Sequence, residues 1–433
     1  MLKIIRGNDP ASEEKIRRLV DREHVERDVE PRVREILEAV RQRGDTALLD
    51  FTRRYDGVSL TADRLKVTGA EMEAAAEVVD STVKRAIAEA KARIEAFHLH
   101  EVRESWESKR GDGVRFGQWV RPLETMGIYV PGGGAAYPST VLMNAVPAVV
   151  AGVENVLLVT PPMGDGRVDP CVLFAASCCG ITEIYRMGGA QAIAALAYGT
   201  ETIPKVDKII GPGNVYVNVA KRLVFGVVDI DGLAGPSEIV VLAEEGADPV
   251  FVAADLLSQA EHDPLATAVL VTPSRSLAAA VEQEIERQIL PLSRADVIVK
   301  ALENRGAIVI VDDLESGIEL VNRLAPEHLE VMVEEGNDVL PRLRHAGMVL
   351  LGQCAPVSFC DYGVGPTHVL PTGGTARFAS PLSVSECLKH TNYLEVPPAA
   401  SGALAESIAP LAEIEGFSAH AAAIRLRREV GNG

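Results

Sequence analysis

The chain has 433 residues, of which 47% are hydrophobic and 24% charged, so it is long enough for several globular domains and too apolar to be a disordered chain. Its formal net charge is −18, and the excess lies beyond residue 110, where 38 acidic residues stand against 21 basic ones. Such a charge disfavours nucleic acids and anionic membranes as partners, and it suits a cationic or amine-bearing substrate.

The beginning of the sequence, MLKIIRGNDPASEEK, lacks the apolar core of a signal peptide, and no apolar run reaches the length of a membrane span. The six cysteines show no CxxC spacing, which is typical of thiols in a reducing compartment. These features predict a cytoplasmic protein.

Residues 1–120 are predicted to form a helical region. Val33, Ile36, Leu37 and Val40 recur at the spacing of an amphipathic helix that Gly44 ends, and a second helical pattern runs from about residue 70 to 100. We expect this helical layer to pack on the α/β unit that follows it.

From about residue 121, short aliphatic runs alternate with segments of helix length. Strands that are apolar on both faces are typical of parallel sheets covered by helices. The pattern predicts a Rossmann-like α/β unit over residues 121–236 and a second one over residues 237–375. The strand runs are GIYV, NVLLVT, EIYRM and DKII in the first unit, and EIVVLA, TAVLVT, AIVIV, LEVMV and MVLLG in the second.

Residues 376–433 return to helical patterns, at 403–411 and 419–428, and predict a helical C-terminal extension. Ser418 is expected to cap the last helix, which places His420 in its first turn and Glu415 just before it.

Three strand runs in the first unit end in glycine-rich loops, YVPGGG, MGGAQ and IGPGN. Bare amides at the carboxyl edge of a parallel sheet suit an anionic or dinucleotide ligand, although the usual G-x-G-x-x-G fingerprint is absent. Tyr129, Gln191 and Asn214 offer an aromatic face and two amides at this edge; the alternative is that they stabilise the loops.

In the second unit, Asp248 and Pro249 begin a predicted helix that Asp263-Pro264 ends. Gln259 and His262 are therefore expected on one face of its last turn, where they can present two ligand atoms to one ion.

Asp361 and His368 lie in a Gly/Pro-rich loop, and Glu415 and His420 lie near the C-terminus. Oxygen and nitrogen donors of these types suit Zn²⁺ or a similar divalent ion. The same residues are also compatible with ordinary hydrogen-bonded positions.

Glu327 and His328 precede a predicted strand and follow Pro326. Adjacent Glu and His side chains suit proton transfer, but in a regular strand they point to opposite faces. Joint action on one substrate therefore requires a turn at this point. The alternative is a surface Glu-His pair.

Several long stretches together resemble the histidinol dehydrogenases, in the same order and over nearly the whole chain. Such a set is far more specific than any single motif above. The stretches are GIYVPGGGAAYPSTVLMNAVPAVVAGV, MGGAQAIAALAYGTETIPKVDKIIGPGN, AGPSEIVVLA, LLSQAEHDP, APEHLEVM and HVLPTGGTARFASPLSV.

The resemblance implies a homodimeric, zinc-dependent enzyme that oxidises L-histidinol to L-histidine through L-histidinaldehyde with two NAD⁺, at the end of histidine biosynthesis. It also implies one Zn²⁺ per subunit and active sites completed by the partner subunit's C-terminal helix.

By position, the resemblance implies four groups of functional residues. They are the zinc ligands Gln259, His262, Asp361 and His420; the proton-transfer pair Glu327 and His328; the substrate contacts Ser237, His368 and Glu415, besides His328 and the zinc ligands; and the NAD contacts Tyr129, Gln191 and Asn214.

Two positions depart from the family pattern. Thr367 stands where Asn is expected before His368, and Cys360 stands where Gly usually precedes Asp361. Both departures lie beside an implied zinc ligand and can alter the geometry of its loop.

Three other functions compete with this hypothesis. A dehydrogenase of the same family that acts on another polar alcohol, such as a sulfonated diol, should place a cationic residue near its substrate. A metal-dependent hydrolase or lyase should turn over without NAD⁺. A non-catalytic paralogue should have lost part of the residue set.

Overall fold

The computed structural model describes residues 3–6, 10–20, 28–132 and 136–428. The strands are β1 Lys3–Arg6, β2 Trp106–Lys109, β3 Arg115–Pro122, β4 Thr125–Tyr129, β5 Asn155–Thr160, β6 Glu183–Arg186, β7 Lys208–Ile210, β8 Asp229–Ile230, β9 Glu238–Ala243, β10 Thr267–Thr272, β11 Gly306–Ile310, β12 His328–Met332, β13 Met348–Leu351 and β14 Leu388–Glu395.

The helices follow the same chain order. They are α1 Pro10–Val20, α2 Glu30–Arg43, α3 Asp45–Phe51, α4 Gly69–Val78, α5 Ser81–His98, α6 Pro138–Ala151, α7 Pro170–Cys178, α8 Gly189–Tyr198, α9 Val215–Val224, α10 Pro249–Ala260, α11 Arg275–Gln288, α12 Ala295–Arg305, α13 Leu314–Leu324, α14 Gly336–Val339, α15 Val357–Asp361, α16 Pro398–Ile414 and α17 Ser418–Leu426. Among the described residues, none of these helices is long and apolar enough to cross a membrane.

Contacts between residues divide the chain into two units. The first comprises Met1–Glu101 and Glu124–Glu386, and the second comprises Val102–Leu123 and Cys387–Gly433, in each case for the residues that the structure describes.

The first unit contains a five-stranded parallel sheet in the order β6-β5-β4-β7-β8. The strand order reverses between β4 and β7, and ligands of such sheets bind in the crevice outside the carboxyl ends at this point. The run NVLLVT coincides with β5, and five of its six residues are buried, as expected for a strand covered on both faces.

The same unit contains a six-stranded parallel sheet in the order β1-β11-β10-β9-β12-β13. Without β1 its order matches that of the first sheet, with the reversal between β9 and β12. The predicted α/β class with two Rossmann-like parallel sheets is thus confirmed.

The predicted helical layer is present, and its helix α2 packs on helices α8 and α9, which cover the first sheet. Val33, Ile36, Leu37 and Val40 are buried in a core shared with residues of α8 and α9. Gly44 ends α2 with φ +51°, and its N–H donates to the carbonyl of Val40 at 2.8 Å.

The first 120 residues also contain strands, which the sequence pattern did not indicate. Residues 3–6 form the outer strand of the second sheet, and residues 106–122 contain β2 and β3. The predicted helical segment from 70 to 100 is two helices, because Asp80 interrupts it and caps α5 by accepting a hydrogen bond from the Thr82 N–H at 2.7 Å.

The second unit is an antiparallel sheet in the order β14-β3-β2 together with α16 and α17. The predicted helical extension therefore also contains a strand. The predicted cap at Ser418 is wrong: Phe417 occupies the cap position, Ser418 is the first helical residue, and neither provides a side-chain cap. His420 lies in the first turn, as expected.

Candidate active site

The amino ends of β9 and β12, which are neighbours in the second sheet, bring Glu238 and Glu327 together. The Glu238 N–H donates to Oε2 of Glu327 at 2.8 Å, and the Glu327 N–H donates to Oε2 of Glu238 at 3.3 Å. Both side chains are buried. These reciprocal hydrogen bonds hold the Glu327 carboxylate at the edge of the sheet.

His328, the first residue of β12, lies on the same side as Glu327, with 3.6 Å between its Nδ1 and Oε2 of Glu327. The chain turns just before the strand, where Ala325 has φ +46°, a left-handed conformation that is unusual for a residue with a side chain. The turn that joint action of this pair requires is therefore present next to Pro326.

The hydrogen bonds of His328 decide which of its ring nitrogens carries the proton. Nδ1 lies 3.1 Å from the Glu238 carbonyl oxygen, which can only accept, so Nδ1 is the donor and Nε2 keeps its lone pair. Nε2 is buried, has no hydrogen-bond partner among the described residues, and lies 3.7 Å from Oδ1 of Asp361. Burial lowers the pKa of His328 to about 3, against the opposing effect of the bond to Glu238, so the ring is neutral at pH 7.

Helix α10 carries Gln259 to the same place. It begins as predicted, with Asp248 accepting from the Val250 N–H at 2.8 Å and Pro249 in its first turn. Gln259 is only 1% exposed, and its buried Oε1 has no donor among the described residues.

His262 does not lie in the last turn of α10, contrary to the sequence prediction. The helix ends at Ala260, and His262 follows in a turn in which its N–H donates to the Gln259 carbonyl at 3.2 Å. The side chain is exposed, and desolvation by the groups around the ring lowers its pKa.

Asp361 and His368 come from α15 and the loop after it. Burial raises the pKa of Asp361 to about 7, and a hydrogen bond with the Gln259 side chain opposes this shift. His368 Nδ1 donates to the Asp361 carbonyl at 2.9 Å, and burial lowers the pKa of His368 to about 4.

Asp361 lies beside two of the histidines, since its Oδ1 is 3.7 Å from Nε2 of His328 and its carbonyl accepts from Nδ1 of His368, and the backbone of His262 is bonded to that of Gln259. The structure thus brings six predicted site residues together in the first unit: Gln259, His262, Glu327, His328, Asp361 and His368. Ser237 immediately precedes Glu238, the first residue of β9, whose backbone binds Glu327 and His328.

The two residues that depart from the family pattern contact each other. Cys360 Sγ donates to the Thr367 carbonyl at 3.7 Å. Burial raises the pKa of Cys360 to about 12, with a smaller effect of nearby carboxylates, so the side chain is a thiol at pH 7 and is poorly suited to bind a metal. It closes the loop that carries Asp361 and His368.

Glu415 and His420 belong to the second unit. Glu415 follows the last residue of α16, and His420 lies in α17, with its ring centroid 5.3 Å from that of Phe417. Both side chains are exposed. Across the part of the chain that the structure describes, no group of three or more His, Cys, Asp or Glu side chains is arranged to hold a metal ion.

The residues of the first unit nevertheless fit a divalent ion. Gln259 supplies a buried amide oxygen without a donor, Asp361 supplies a carboxylate beside it, and His262 supplies an imidazole at the rim. Two oxygens and one nitrogen are a donor set that Zn²⁺ accepts, with a further position left for another ligand.

The predicted NAD contacts lie at the carboxyl edge of the first sheet, where the loops meet. The Gly189 N–H donates to the Tyr129 hydroxyl at 3.1 Å. Gly211 has φ +112°, and a Cβ there would stand 2.1 Å from the Tyr129 carbonyl oxygen, so only glycine fits. Gly133 and Gly134 of the first predicted loop lie outside the described residues.

The two amides at this edge differ. Asn214 caps α9, because its Oδ1 accepts from the N–H groups of Tyr216 and Val217 at 3.0 and 3.2 Å. Gln191 is 1% exposed, and its Nε2 is a buried donor without an acceptor among the described residues. Asn214 thus stabilises its loop, whereas Gln191 has a donor for a ligand.

A family model described as histidinol dehydrogenase matches residues 20–428. The chain belongs to the histidinol dehydrogenase family. Histidinol dehydrogenase from a Synechococcus strain is 50% identical over 431 residues, which is 99% of each chain. The enzyme from Geobacillus kaustophilus is 53% identical over 399 residues, covering 92% of this chain and 94% of that protein.

A solved structure agrees with this family membership. The crystal structure of histidinol dehydrogenase from Elizabethkingia anophelis aligns with a TM-score of 0.94 at 35% identity, covering 100% of this chain and 99% of that one. The prediction of a dehydrogenase of this family is confirmed, and its members are oxidoreductases.

Sequence reasoning missed Glu238 and the buried pair Lys221 and Asp231. Lys221, 1% exposed, forms an ion pair with Asp231, and its Nζ donates to the Gly211 carbonyl at 3.0 Å. Both features left a signal: an acidic residue opens the apolar run EIVVLA, and a lysine interrupts the apolar pattern of α9.

Proposed function

We propose that this chain oxidises L-histidinol to L-histidine through L-histidinaldehyde, with two NAD⁺ and a zinc ion, in histidine biosynthesis. The proposal rests on the surroundings of the His328 side chain. Its Nδ1 donates to the Glu238 carbonyl and lies 3.6 Å from Oε2 of Glu327, and its buried Nε2 is left with a lone pair 3.7 Å from Oδ1 of Asp361. That is the arrangement of a general base in a histidinol dehydrogenase family member.

His328 would remove the proton from the substrate hydroxyl. Its ring is neutral at pH 7, and Oδ1 of Asp361 and Oε2 of Glu327 lie 3.7 and 3.6 Å from its nitrogens, so carboxyl oxygens on both sides of the ring would stabilise the imidazolium that forms. A positioned base of this kind contributes roughly 10²–10⁴-fold to the rate.

Glu327 would activate the water that hydrates the aldehyde. Its Oε2 is held by the Glu238 N–H at 2.8 Å, so the carboxylate keeps one orientation through both oxidations. His328 would then take a proton from the hydrate in the second oxidation.

Gln259, His262 and Asp361 would hold the zinc ion. When bound, zinc would orient the imidazole and amine nitrogens of the substrate, and NAD⁺ would accept the hydride. His368 and Ser237 would contact the substrate: His368 donates to the Asp361 carbonyl, and Ser237 immediately precedes Glu238, which supports His328.

Tyr129, Gln191 and Asn214 would position NAD⁺ at the carboxyl edge of the first sheet. Support comes from the unpartnered donor of Gln191 and from the close backbone approach at Gly211. Since Asn214 already caps α9, its contribution would be through the loop that it orders.

His420 and Glu415 would reach the site from the second unit of the partner subunit, as a fourth zinc ligand and a substrate contact. Their exposed side chains are available for this. The active enzyme would then be a homodimer with two shared sites and one Zn²⁺ in each.

A stoichiometric assay tests the proposal. Purified protein with L-histidinol, NAD⁺ and Zn²⁺ should release two NADH per histidinol, lose activity with a chelator and regain it with Zn²⁺. Turnover of a sulfonated diol instead of histidinol would contradict the substrate, and turnover without NAD⁺ would contradict the reaction class.

Two variants separate the proton-transfer roles. His328→Asn should lower kcat about 10²–10⁴-fold with an unchanged melting temperature. Glu327→Gln should form the aldehyde but slow the second oxidation, so that NADH per histidinol falls from two towards one in a single turnover. His100→Asn, at an exposed histidine outside the site, is the control and should retain full activity.

Subunit exchange tests the shared site. His420→Ala and Gln259→Ala should each be inactive, and a mixture of the two should recover part of the activity. No recovery after proven exchange would contradict the sharing.

A further inference from the structure

Two buried carboxyl groups lie behind the proposed site and have no role in the reaction described above. Glu330 lies on β12, two residues after His328 and therefore on the same face of the strand. Asp255 lies on α10, one turn before Gln259. The two residues are 1% and 7% exposed.

Glu330, which lies on strand β12, caps helix α15. Its Oε1 accepts a hydrogen bond from the Val357 N–H at 2.9 Å, and Val357 is the first residue of α15. The residue at the cap position is Pro356, which has no side chain able to accept that bond. Asp361 is the last residue of α15, four residues after Val357. By holding the start of this short helix, the bond to Glu330 sets the position of the Asp361 carboxylate relative to His328.

The side chain of Glu330 lies beside that of Asp255, and each affects the pKa of the other. Two facing carboxyl groups can share a hydrogen bond only if one of them carries a proton. Burial and the facing carboxyl raise the pKa of Glu330, and burial raises the pKa of Asp255. Because Asp255 lies on α10 and Glu330 on β12, the contact between these side chains connects the two elements.

We propose that Glu330 is a positioning residue, which together with Asp255 joins α10, β12 and α15 so that Gln259, His328 and Asp361 keep their mutual geometry. The proposal rests on the proposed function of these three residues. The substrate is not expected to touch Glu330; it acts through the elements that it connects.

Two substitutions of Glu330 test this role. Glu330→Gln keeps an oxygen for the Val357 N–H and gains an amide that can donate to Asp255, so it should retain kcat within about threefold of the wild type, on the scale of one neutral hydrogen bond. Glu330→Leu removes the acceptor and leaves the buried Val357 N–H without a partner, and it should lower kcat by at least about tenfold, on the scale of an unsatisfied buried donor.

Hydrogen exchange gives a readout that does not depend on catalysis. Exchange in a peptide covering residues 355–362 should accelerate in Glu330→Leu and stay at the wild-type rate in Glu330→Gln. Wild-type behaviour of Glu330→Gln would show that the hydrogen bonds of residue 330, and not a negative charge, hold α15 in place. Equal damage in both variants, or wild-type exchange and kcat in Glu330→Leu, would overturn the proposal.

Met332→Leu is the matched control, since Met332 is buried two residues further along the same face of β12. It should change the melting temperature at most, with normal kcat and normal exchange at 355–362. If the wild type fails to oxidise histidinol, the proposed function fails, whereas the exchange comparison still decides whether Glu330 holds α15.

Discussion

Glu238 and Glu327 exchange backbone-to-carboxylate hydrogen bonds across the amino ends of two adjacent parallel strands. The second oxygen of Glu238, Oε1, accepts from the Gly373 N–H at 3.0 Å. Both oxygens of this buried side chain therefore receive backbone donors, and its carbonyl orients His328. Glu238 thus orients the proposed proton-transfer pair, Glu327 and His328, but takes no part in the chemistry itself.

Replacing Glu238 by Gln should disturb this framework. The amide nitrogen of Gln must face one of two backbone N–H groups, which costs about 1–3 kcal/mol of the free energy of unfolding. We expect kcat to fall as Glu327 loses its orientation, measured by steady-state kinetics beside denaturant unfolding. Glu286→Gln, at an exposed position of α11, should change neither quantity. Normal kcat in Glu238→Gln would contradict this role.

Gly211→Ala should weaken NAD⁺ binding and destabilise the fold. The left-handed backbone alone costs about 1–3 kcal/mol, and the added Cβ would also meet the Tyr129 carbonyl oxygen. Gly226 is a matched control, because its φ is +96° but nothing lies within 4 Å of a Cβ there. Calorimetric NAD⁺ titration should show a loss of affinity for Gly211→Ala and none for Gly226→Ala. Equal affinities would contradict a cofactor site at this edge.

Lys221→Met should be strongly destabilising. Removal of the cation leaves Asp231 buried without its partner, which typically costs about 3–5 kcal/mol. A second change, Asp231→Asn, removes that charge but keeps an oxygen for the Gly211 N–H, which Asp231 accepts at 2.7 Å. Denaturant unfolding should therefore show the double variant to be more stable than Lys221→Met. A double variant that is no more stable would contradict the explanation by an uncompensated charge.

Glu71 should make the stability of the protein sensitive to acid. Burial alone would raise its pKa, but hydrogen bonds from Arg186 and Thr68 outweigh this effect and lower the pKa from 4.5 to about 2. Because folding lowers this pKa, the ionised carboxylate stabilises the fold above pH 4.5, and the contribution is lost as the pH falls from 4.5 towards 2.

The corresponding measurement is the melting temperature between pH 7 and pH 2. Glu71→Gln should melt a few degrees below the wild type at pH 7, and the two curves should converge towards pH 2. Glu73→Gln, at an exposed glutamate of the same helix, should follow the wild type throughout. A constant gap between Glu71→Gln and the wild type would contradict the assigned pKa.

Most strands of the two parallel sheets could be predicted because they are short, largely buried apolar runs, whereas the outer strands β1, with Ile4 41% exposed, and β8, of two residues, could not. NVLLVT, EIVVLA and TAVLVT coincide with β5, β9 and β10. Strands with exposed side chains carry no such signal. Residues 106–109 are exposed throughout, and β3 pairs with β14, whose residues lie about 270 positions away in the chain, so only the fold reveals the antiparallel sheet.

The residues of the site could be predicted from the sequence, but the contacts that hold them in position could not. The resemblance pointed to Glu327 and His328 on adjacent positions, which normally face apart, whereas the turn at Ala325 and the bonds from Glu238 put them on one side. The role of Glu330 also depends on a contact with Val357, which is 27 residues away in the chain. Such tertiary hydrogen bonds follow no spacing in the sequence.

The most direct test of this account is anomalous diffraction at the zinc edge from crystals grown with Zn²⁺ and L-histidinol. We expect one peak per subunit, about 2.0–2.2 Å from donor atoms of Gln259, His262 and Asp361 and of the partner subunit's His420, with the substrate hydroxyl facing Nε2 of His328. An ion held by other groups, or a hydroxyl beyond the reach of His328, would contradict it.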